Sequence, residues 1–402
     1  MNNRRYETLL VVLFGIGLGL VMLDRMAINF LFPVLVKEFG LNNTHIGQII
    51  LFQTLGWAIF GLVFSILADR TGYKKWLMVP LLVLTTVFSA GSAFTVGLTS
   101  LILMRFFLGI VEGPYTPLYV SILHVQTDPK RFAVAVGLVV GIAGIIGGLI
   151  APLLVTQLLV RYDWHWAFIV SSLPTLVLAI LIGLYVKEVK TTSAVDGASV
   201  EKADWSDFAK LLKYRNVVLC IVLIVLSMLA MWSFFVYSPL YWVQLGKMSE
   251  QSMGFIMSAT GVSVIFWNFV IPAISNRIGR KTVLIVFAPI LACMFLVMYF
   301  SVGTVAQILF VILGGIAGAL PSLLFIIGTE SVPRTLATTS PSLIMGVGEL
   351  LGGAVGTGTM GALADLYGLQ TVMIIIAGAL ILFSAVSFGL IETSPHLVSK
   401  KI

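Results

Sequence analysis

Apolar residues run along this chain in long blocks, separated by short polar breaks. The blocks cover approximately 8–35, 44–67, 76–96, 98–124, 131–158, 166–186, 216–244, 252–275, 282–301, 304–328, 337–362 and 371–391. Each is close to or longer than the about 20 residues that a helix needs to cross the hydrocarbon of a bilayer. Lipid offers the backbone no hydrogen-bond partner, so a continuous apolar block must satisfy its own amides and is helical. A β-barrel would instead show short segments of alternating polarity. The pattern therefore predicts an all-α membrane protein of twelve transmembrane helices.

The polar breaks carry the topology. Nineteen of the 24 Lys and Arg fall in the termini and in alternate loops, while the opposite loops hold only Lys37, Arg161 and Lys247. Basic residues accumulate on the cytoplasmic side, so both termini are expected there. The start "MNNRRYETLL" leads into the first block without a small-residue cleavage site, which suits an uncleaved first membrane helix rather than a signal peptide. One break differs from the rest. Residues 187–215 are polar and rich in Ser, Ala and Asp, as expected of a cytoplasmic linker between an N-terminal six-helix bundle (1–186) and a C-terminal one (216–402). Its end, "WSDFAKLLKY", suits either a short amphipathic helix on the membrane surface or a mobile turn.

The two halves repeat. "ADRTGYKKWL" at 68–77 aligns with "SNRIGRKTVL" at 275–284, Pro33 with Pro239 and Pro114 with Pro321, at offsets of 206 to 207. Parallel six-helix repeats are one of the architectures of secondary transporters, with substrate held near mid-membrane and access alternating as one half rocks against the other. "ADRTGYKK" resembles the loop motif of the major facilitator superfamily, and the likeness extends over essentially the whole chain. Ser65 and Tyr73 depart from the usual Gly and Arg, and Asn276 replaces the Asp in the second copy. Gly72 suits a tight turn. Asp69, at a helix end, can pair with basic groups or cap a neighbouring helix. Asp69, Arg70, Gly72, Lys74, Arg277, Gly279 and Arg280 are thus candidates for a cytoplasmic gate, and a purely topological role for these charges is the alternative.

Five ionisable residues fall well inside the blocks: Asp24, Arg25, Arg105, Glu112 and Glu349. A charge at mid-membrane costs about 2.5–3.5 kcal/mol by insertion scales, so such groups mark function or form structural pairs. Their sum is −1, which leaves one carboxylate unmatched and makes it a candidate proton carrier. Arg105 and Glu112 are seven apart, on one helix face and about 10.5 Å from each other. Tyr115 and Tyr119 continue that face, and Asn29 lies one turn past Arg25. "LDRMAIN", "RFFLGIVEGPYTP" and "DWHWAFIV" resemble the anion:cation symporter group of the superfamily. That resemblance implies Asp24 and Glu112 as the proton-coupling carboxylates and Arg25 as the contact to a substrate carboxylate. It also implies that Arg105 pairs with Asp24 in one protonation state. His165, between two tryptophans, is expected to anchor at the interface. Arg25, Arg105, Asn29, Tyr115, Tyr119 and Glu349 are the candidate substrate-binding residues. Glu349 stands where symporters of sugar acids tend to carry an amide, and could serve as a third proton site or bind an amino group. The glycine ladders Gly137-x3-Gly141 and Gly348-x3-Gly352-x3-Gly356 are expected to be close-packing strips.

Composition narrows the classes further. Of the 402 residues, 59% are hydrophobic and 10% charged, against about a quarter charged in soluble proteins. The net charge of +7 is scattered through short loops, which does not suit nucleic-acid binding. Cys220 and Cys293 lie in apolar runs and imply no disulfide framework. There is no H-E-x-x-H, no G-x-S-x-G and no Cys/His cluster, so an enzyme is not expected. The expected protein is a secondary active transporter of the cell membrane, a proton-coupled symporter of a small organic anion such as a carboxylate or sugar acid. The alternative is a proton-coupled exporter of drugs or lysolipid-like amphiphiles, favoured by Glu349 and the apolar fifth helix. The expected partners are a small-molecule substrate and the bilayer, with no nucleic acid. The chain is expected to be a monomer, to use the proton gradient as its energy source, and to need no metal or cofactor.

Overall fold

A computed structural model describes residues 3–128, 131–188, 210–333, 336 and 339–394. Among them are twelve helices long and apolar enough to cross a membrane. In chain order they are α1 (Arg4–Phe39), α2 (Asn43–Ala68), α3 (Lys74–Phe94), α4 (Leu98–Gln126), α5 (Val134–Arg161) and α6 (Trp164–Tyr185). They continue with α7 (Arg215–Leu245), α8 (Glu250–Ile278), α9 (Arg280–Phe300), α10 (Thr304–Glu330), α11 (Thr339–Tyr367) and α12 (Leu369–Ser387). The twelve blocks of the sequence are these twelve helices. Most of the expected linker, including much of its amphipathic end, lies outside the described residues.

The helices group into two compact units. Unit 1 takes in Met1–Leu41, Gln48–Gly197 and Met248–Ser258. Unit 2 takes in Asn42–Gly47, Ala198–Lys247 and Ala259–Ile402. The repeat is visible inside each. Gly72 and Gly279 turn the chain into α3 and α9 with φ of 72° and 103°, a backbone that residues with a Cβ rarely adopt. The opening turn of each of these helices then has an acidic lid from the residues after the sixth helix of its own half. Glu188 accepts the backbone N–H groups of Lys74, Lys75 and Trp76 at 3.0–3.3 Å. Glu392 accepts those of Arg280 and Lys281 at 2.9 and 3.1 Å. A carboxylate there satisfies orphan N–H groups and complements the helix dipole.

Within unit 1, glycines bring backbones into direct contact. A Cβ on Gly109 of α4 would stand 2.1 Å from the Gln53 carbonyl oxygen of α2, and one on Gly113 would stand 2.2 Å from that of Trp57. Gly15 and Gly19 of α1 receive Ile142 and Ile146 of α5. In unit 2, Gly348, Gly352 and Gly356 of α11 pack on Ile224, Val225, Met228 and Leu229 of α7, so this ladder is the close-packing strip the sequence suggests. The ladder on α5 is not. A Cβ at Gly137 or Gly141 would meet nothing within 4 Å among the described residues. Ile142, one position past Gly141, is the α5 side chain that meets Gly15 of α1. Gly109→Ala should therefore lower the thermal midpoint of the detergent-solubilised protein, at a cost of about 3 kcal/mol, because a backbone oxygen cannot step aside. Gly137→Ala should raise it slightly, by about 0.5 kcal/mol, through the loss of glycine's unfolded-state freedom. Equal responses of the two variants would refute this account of the packing.

Candidate functional site

The site grows from α1 and α4 of unit 1, with α2, α3 and α6 packed around them. Asp24 and Arg25 stand near the middle of α1, and Glu112 near the middle of α4. Helix α4 is continuous from Leu98 to Glu112, is interrupted at Gly113–Pro114, and resumes at Tyr115. Neither Pro114 nor Pro117 has an N–H to give, which is why the helix breaks just past the carboxylate. The glycine contacts at Gly109 and Gly113 bracket Glu112 and hold α2 against it.

The four central charges are all inside the protein. Asp24 and Arg105 are fully buried, Glu112 is 1% exposed and Arg25 5% exposed. None of them faces lipid. Ser89 of α3 donates to Asp24 Oδ1 at 2.9 Å, and Ser171 of α6 lies beside the same carboxylate. Arg105 Nη1 donates to the main-chain oxygen of Asp24 at 3.3 Å, and its guanidinium lies over the Phe168 ring at 4.6 Å. Arg105 is within electrostatic reach of both Asp24 and Glu112. Arg25 lies over the Trp57 ring at 5.0 Å and is within reach of Glu112. An aromatic face is a favourable seat for a desolvated cation. Both oxygens of Glu112, Oδ2 of Asp24, and Nε and Nη2 of Arg105 have no hydrogen-bond partner among the described residues. Buried polar atoms are nearly always satisfied, so a cluster of orphans calls for a ligand or a proton.

The other expected residues are distributed more widely. Asn29 is buried close by, with its Nδ2 on the Met26 sulfur at 3.6 Å and its oxygen unpartnered among the described residues. Tyr115 donates its hydroxyl to the Phe14 carbonyl at 3.2 Å. It packs with Tyr119 in the apolar core of unit 1, so in this conformation both rings are packing groups. Glu349 is buried in unit 2, in a π-helical stretch over Gly348–Gly356. It and the Trp232 indole approach the same side of Gly353. The five charges are thus divided between the two units. The four charges of unit 1 balance, and the odd carboxylate belongs to the other unit.

Two of the expected gate residues, Lys74 and Arg280, make side-chain contacts within their own units. Lys74 donates to Ser121. Arg280 makes two contacts of 2.8 Å with Glu330 and one of 2.9 Å with Ser275. Arg70 and Arg277 are exposed. Gly72 and Gly279 make the turns already described. The Asp69 side chain lies outside the described residues. His165 opens α6, stacked on Trp164 at 3.7 Å and next to the cap residue Asp163.

Sequence reasoning passed over Gln53, Trp57, Ser89 and Ser171. Of these, Gln53 carries a signal in the sequence, as an amide in the middle of an apolar span with an aromatic residue one turn further on. Glu188 and Glu392 were also open to inspection, since they end matching spans at an offset of 204.

Twelve helices in two repeated units, one of them holding a buried set of opposite charges, define a membrane carrier. Residues 14–357 match the model of the Major Facilitator Superfamily, and the chain belongs to that family. It is a transporter and not an enzyme. It is 27% identical over 294 residues to a hexuronate transporter of Bacillus subtilis, covering 69% of this chain and 68% of that one. It is 25% identical over 425 residues to a protein of Agrobacterium vitis provisionally named a tartrate transporter, covering 98% and 95%. These relatives place it among the superfamily members similar to the anion:cation symporters. In fold it is similar to the crystal structure of a bacterial homolog of the human lysosomal transporter Spinster, inward-facing and unoccupied. The TM-score there is 0.82 at 15% identity, over 95% of this chain and 96% of that one.

Proposed function

We propose that this transporter is a proton-coupled symporter of a small organic anion, working by alternating access in the cell membrane with both termini in the cytoplasm. The observation that carries the reading is the balanced charge set of unit 1. With Asp24, Glu112, Arg25 and Arg105 all ionised, the buried cluster sums to zero. A proton on Glu112 makes it +1, and a singly charged anion returns it to zero. Burying an uncompensated charge is expensive, so the proton and the anion each lower the cost of admitting the other. That mutual preference is the coupling free energy a symporter needs. The relatives' names, hexuronate and tartrate, both denote hydroxylated carboxylates and support an anion of this class.

Purified protein in liposomes tests the reading. An inward gradient of D-glucuronate or tartrate should alkalinise the outer medium as protons enter with the anion, and a protonophore should abolish the signal. Saturable anion flux with no proton movement, or with protons leaving as the anion enters, would refute symport.

A further inference from the structure

Gln53 of α2 is 2% exposed, and neither its oxygen nor its nitrogen has a hydrogen-bond partner among the described residues. An unsatisfied primary amide in a membrane interior is costly and rarely retained without use. Its backbone is pinned to α4 at Gly109, one turn before Glu112, and its side chain lies within hydrogen-bonding reach of the Glu112 carboxyl group. One turn on, Trp57 supports Arg25. The charged groups facing Glu112 are Asp24 and Arg25 from α1 and Arg105 from its own helix.

An amide suits a titrating partner in a way no other side chain does. It carries a donor and an acceptor on one sp2 centre, so a half-turn about its last bond exchanges them at no cost in charge. Facing an ionised carboxylate, the amide donates its NH2 and turns its oxygen away. Facing the carboxylic acid, it accepts the acid's O–H with its oxygen and turns its NH2 away, toward the side where Arg25 lies. We propose that Gln53 is the coupling residue between proton and substrate, turning with the protonation of Glu112 so that its NH2 is offered to the substrate carboxylate only when the proton is on. This deepens the symport reading and rests on it. The amide would add a second, conditional donor beside Arg25. A carboxylate would thus be held by two groups in the proton-loaded carrier and by one in the empty carrier.

Infrared difference spectroscopy on the reconstituted protein separates this proposal from the reading beneath it. Acidification should produce a carboxylic-acid C=O band that is absent in Glu112→Gln. In Gln53→Leu the band should move to higher frequency, because the acid has lost its acceptor. Should Gln53→Leu not fold, Gln53→Met keeps the length without the amide and repeats the test. With D-glucuronate as probe, KM should rise about tenfold in Gln53→Leu at the pH where the band is present. Where it is absent the change should stay within about twofold. A structural role would raise KM equally at both. A band present in the wild type and unmoved by both Gln53 variants would overturn the assignment of Gln53 while leaving the proton site intact. No Glu112-dependent band in the wild type would overturn the proton site itself.

Discussion

Uphill uptake of the anion should vanish in Glu112→Gln, while exchange of internal for external anion stays within about threefold of wild type. The substitution keeps the shape of the side chain and fixes the cluster in the charge state that a proton would give it. With Asp24 ionised, Asp24, Arg25 and Arg105 then sum to +1 whatever the state of position 112. The anion still completes the balance, so it still binds and the loaded carrier still reorients. What is lost is the return of an empty carrier that has released its proton, because no proton can be released. Net transport requires that return, and exchange does not. The new amide at position 112 would also find a partner, since Gln53 can both donate to it and accept from it, so folding is spared. The measurement is paired, with gradient-driven accumulation and counterflow in the same proteoliposomes. Accumulation in the variant would remove Glu112 from the coupling path. Equal loss of accumulation and counterflow would make it a packing or binding residue instead.

Much of this was legible in the sequence, and what was not has a physical pattern. The twelve helices follow from the cost of leaving a backbone unpaired in lipid, a constraint strong enough to override local propensity. Asp24, Arg25, Arg105 and Glu112 announced themselves because each is an expensive exception to its surroundings. Gln53 and Trp57 did not, because a neutral amide and an indole cost little in a hydropathy sum. Only the contact of α2 with α4 at Gly109 and Gly113 shows what they face. Tyr115 and Tyr119 share the helical face of Glu112 by periodicity. Yet the break at Gly113–Pro114 separates their turn from that of Glu112, and Tyr115 reaches the Phe14 carbonyl on α1. Spacing counts along an unbroken helix and cannot register the break. The same limit applies to glycine. The ladders on α5 and α11 look alike as strings, but only the second meets a neighbouring helix at each of its glycines. The charge sum is bounded in a related way. A sequence gives the total, and the structure shows that Glu349 belongs to a different unit from the four charges that balance.

That balance makes a second, larger demand on the site. Arg105→Met should reduce anion uptake at least about a hundredfold, and Asp24→Asn in the same chain should restore it to within about tenfold of wild type. Arg105 is fully buried, over Phe168, with Asp24 and Glu112 both within reach. Without it, the proton-loaded cluster is neutral before the anion arrives and −1 afterwards, so binding must bury an unbalanced charge. Breaking a buried pair by removing one partner costs about 3–5 kcal/mol, which is more than two decades in affinity. Taking away the Asp24 charge as well leaves Arg25 and Glu112, a smaller set with the same arithmetic. It is neutral when ionised, +1 with a proton, and neutral again with the anion bound. Recovery should be incomplete, because the Arg105 hydrogen bond to the Asp24 main chain is gone and Ser89 loses its charged acceptor. Initial rates of labelled D-glucuronate uptake, normalised to folded protein, measure both variants. If the double variant is as inactive as the single one, Arg105 acts through a contact of its own and not through the charge it contributes.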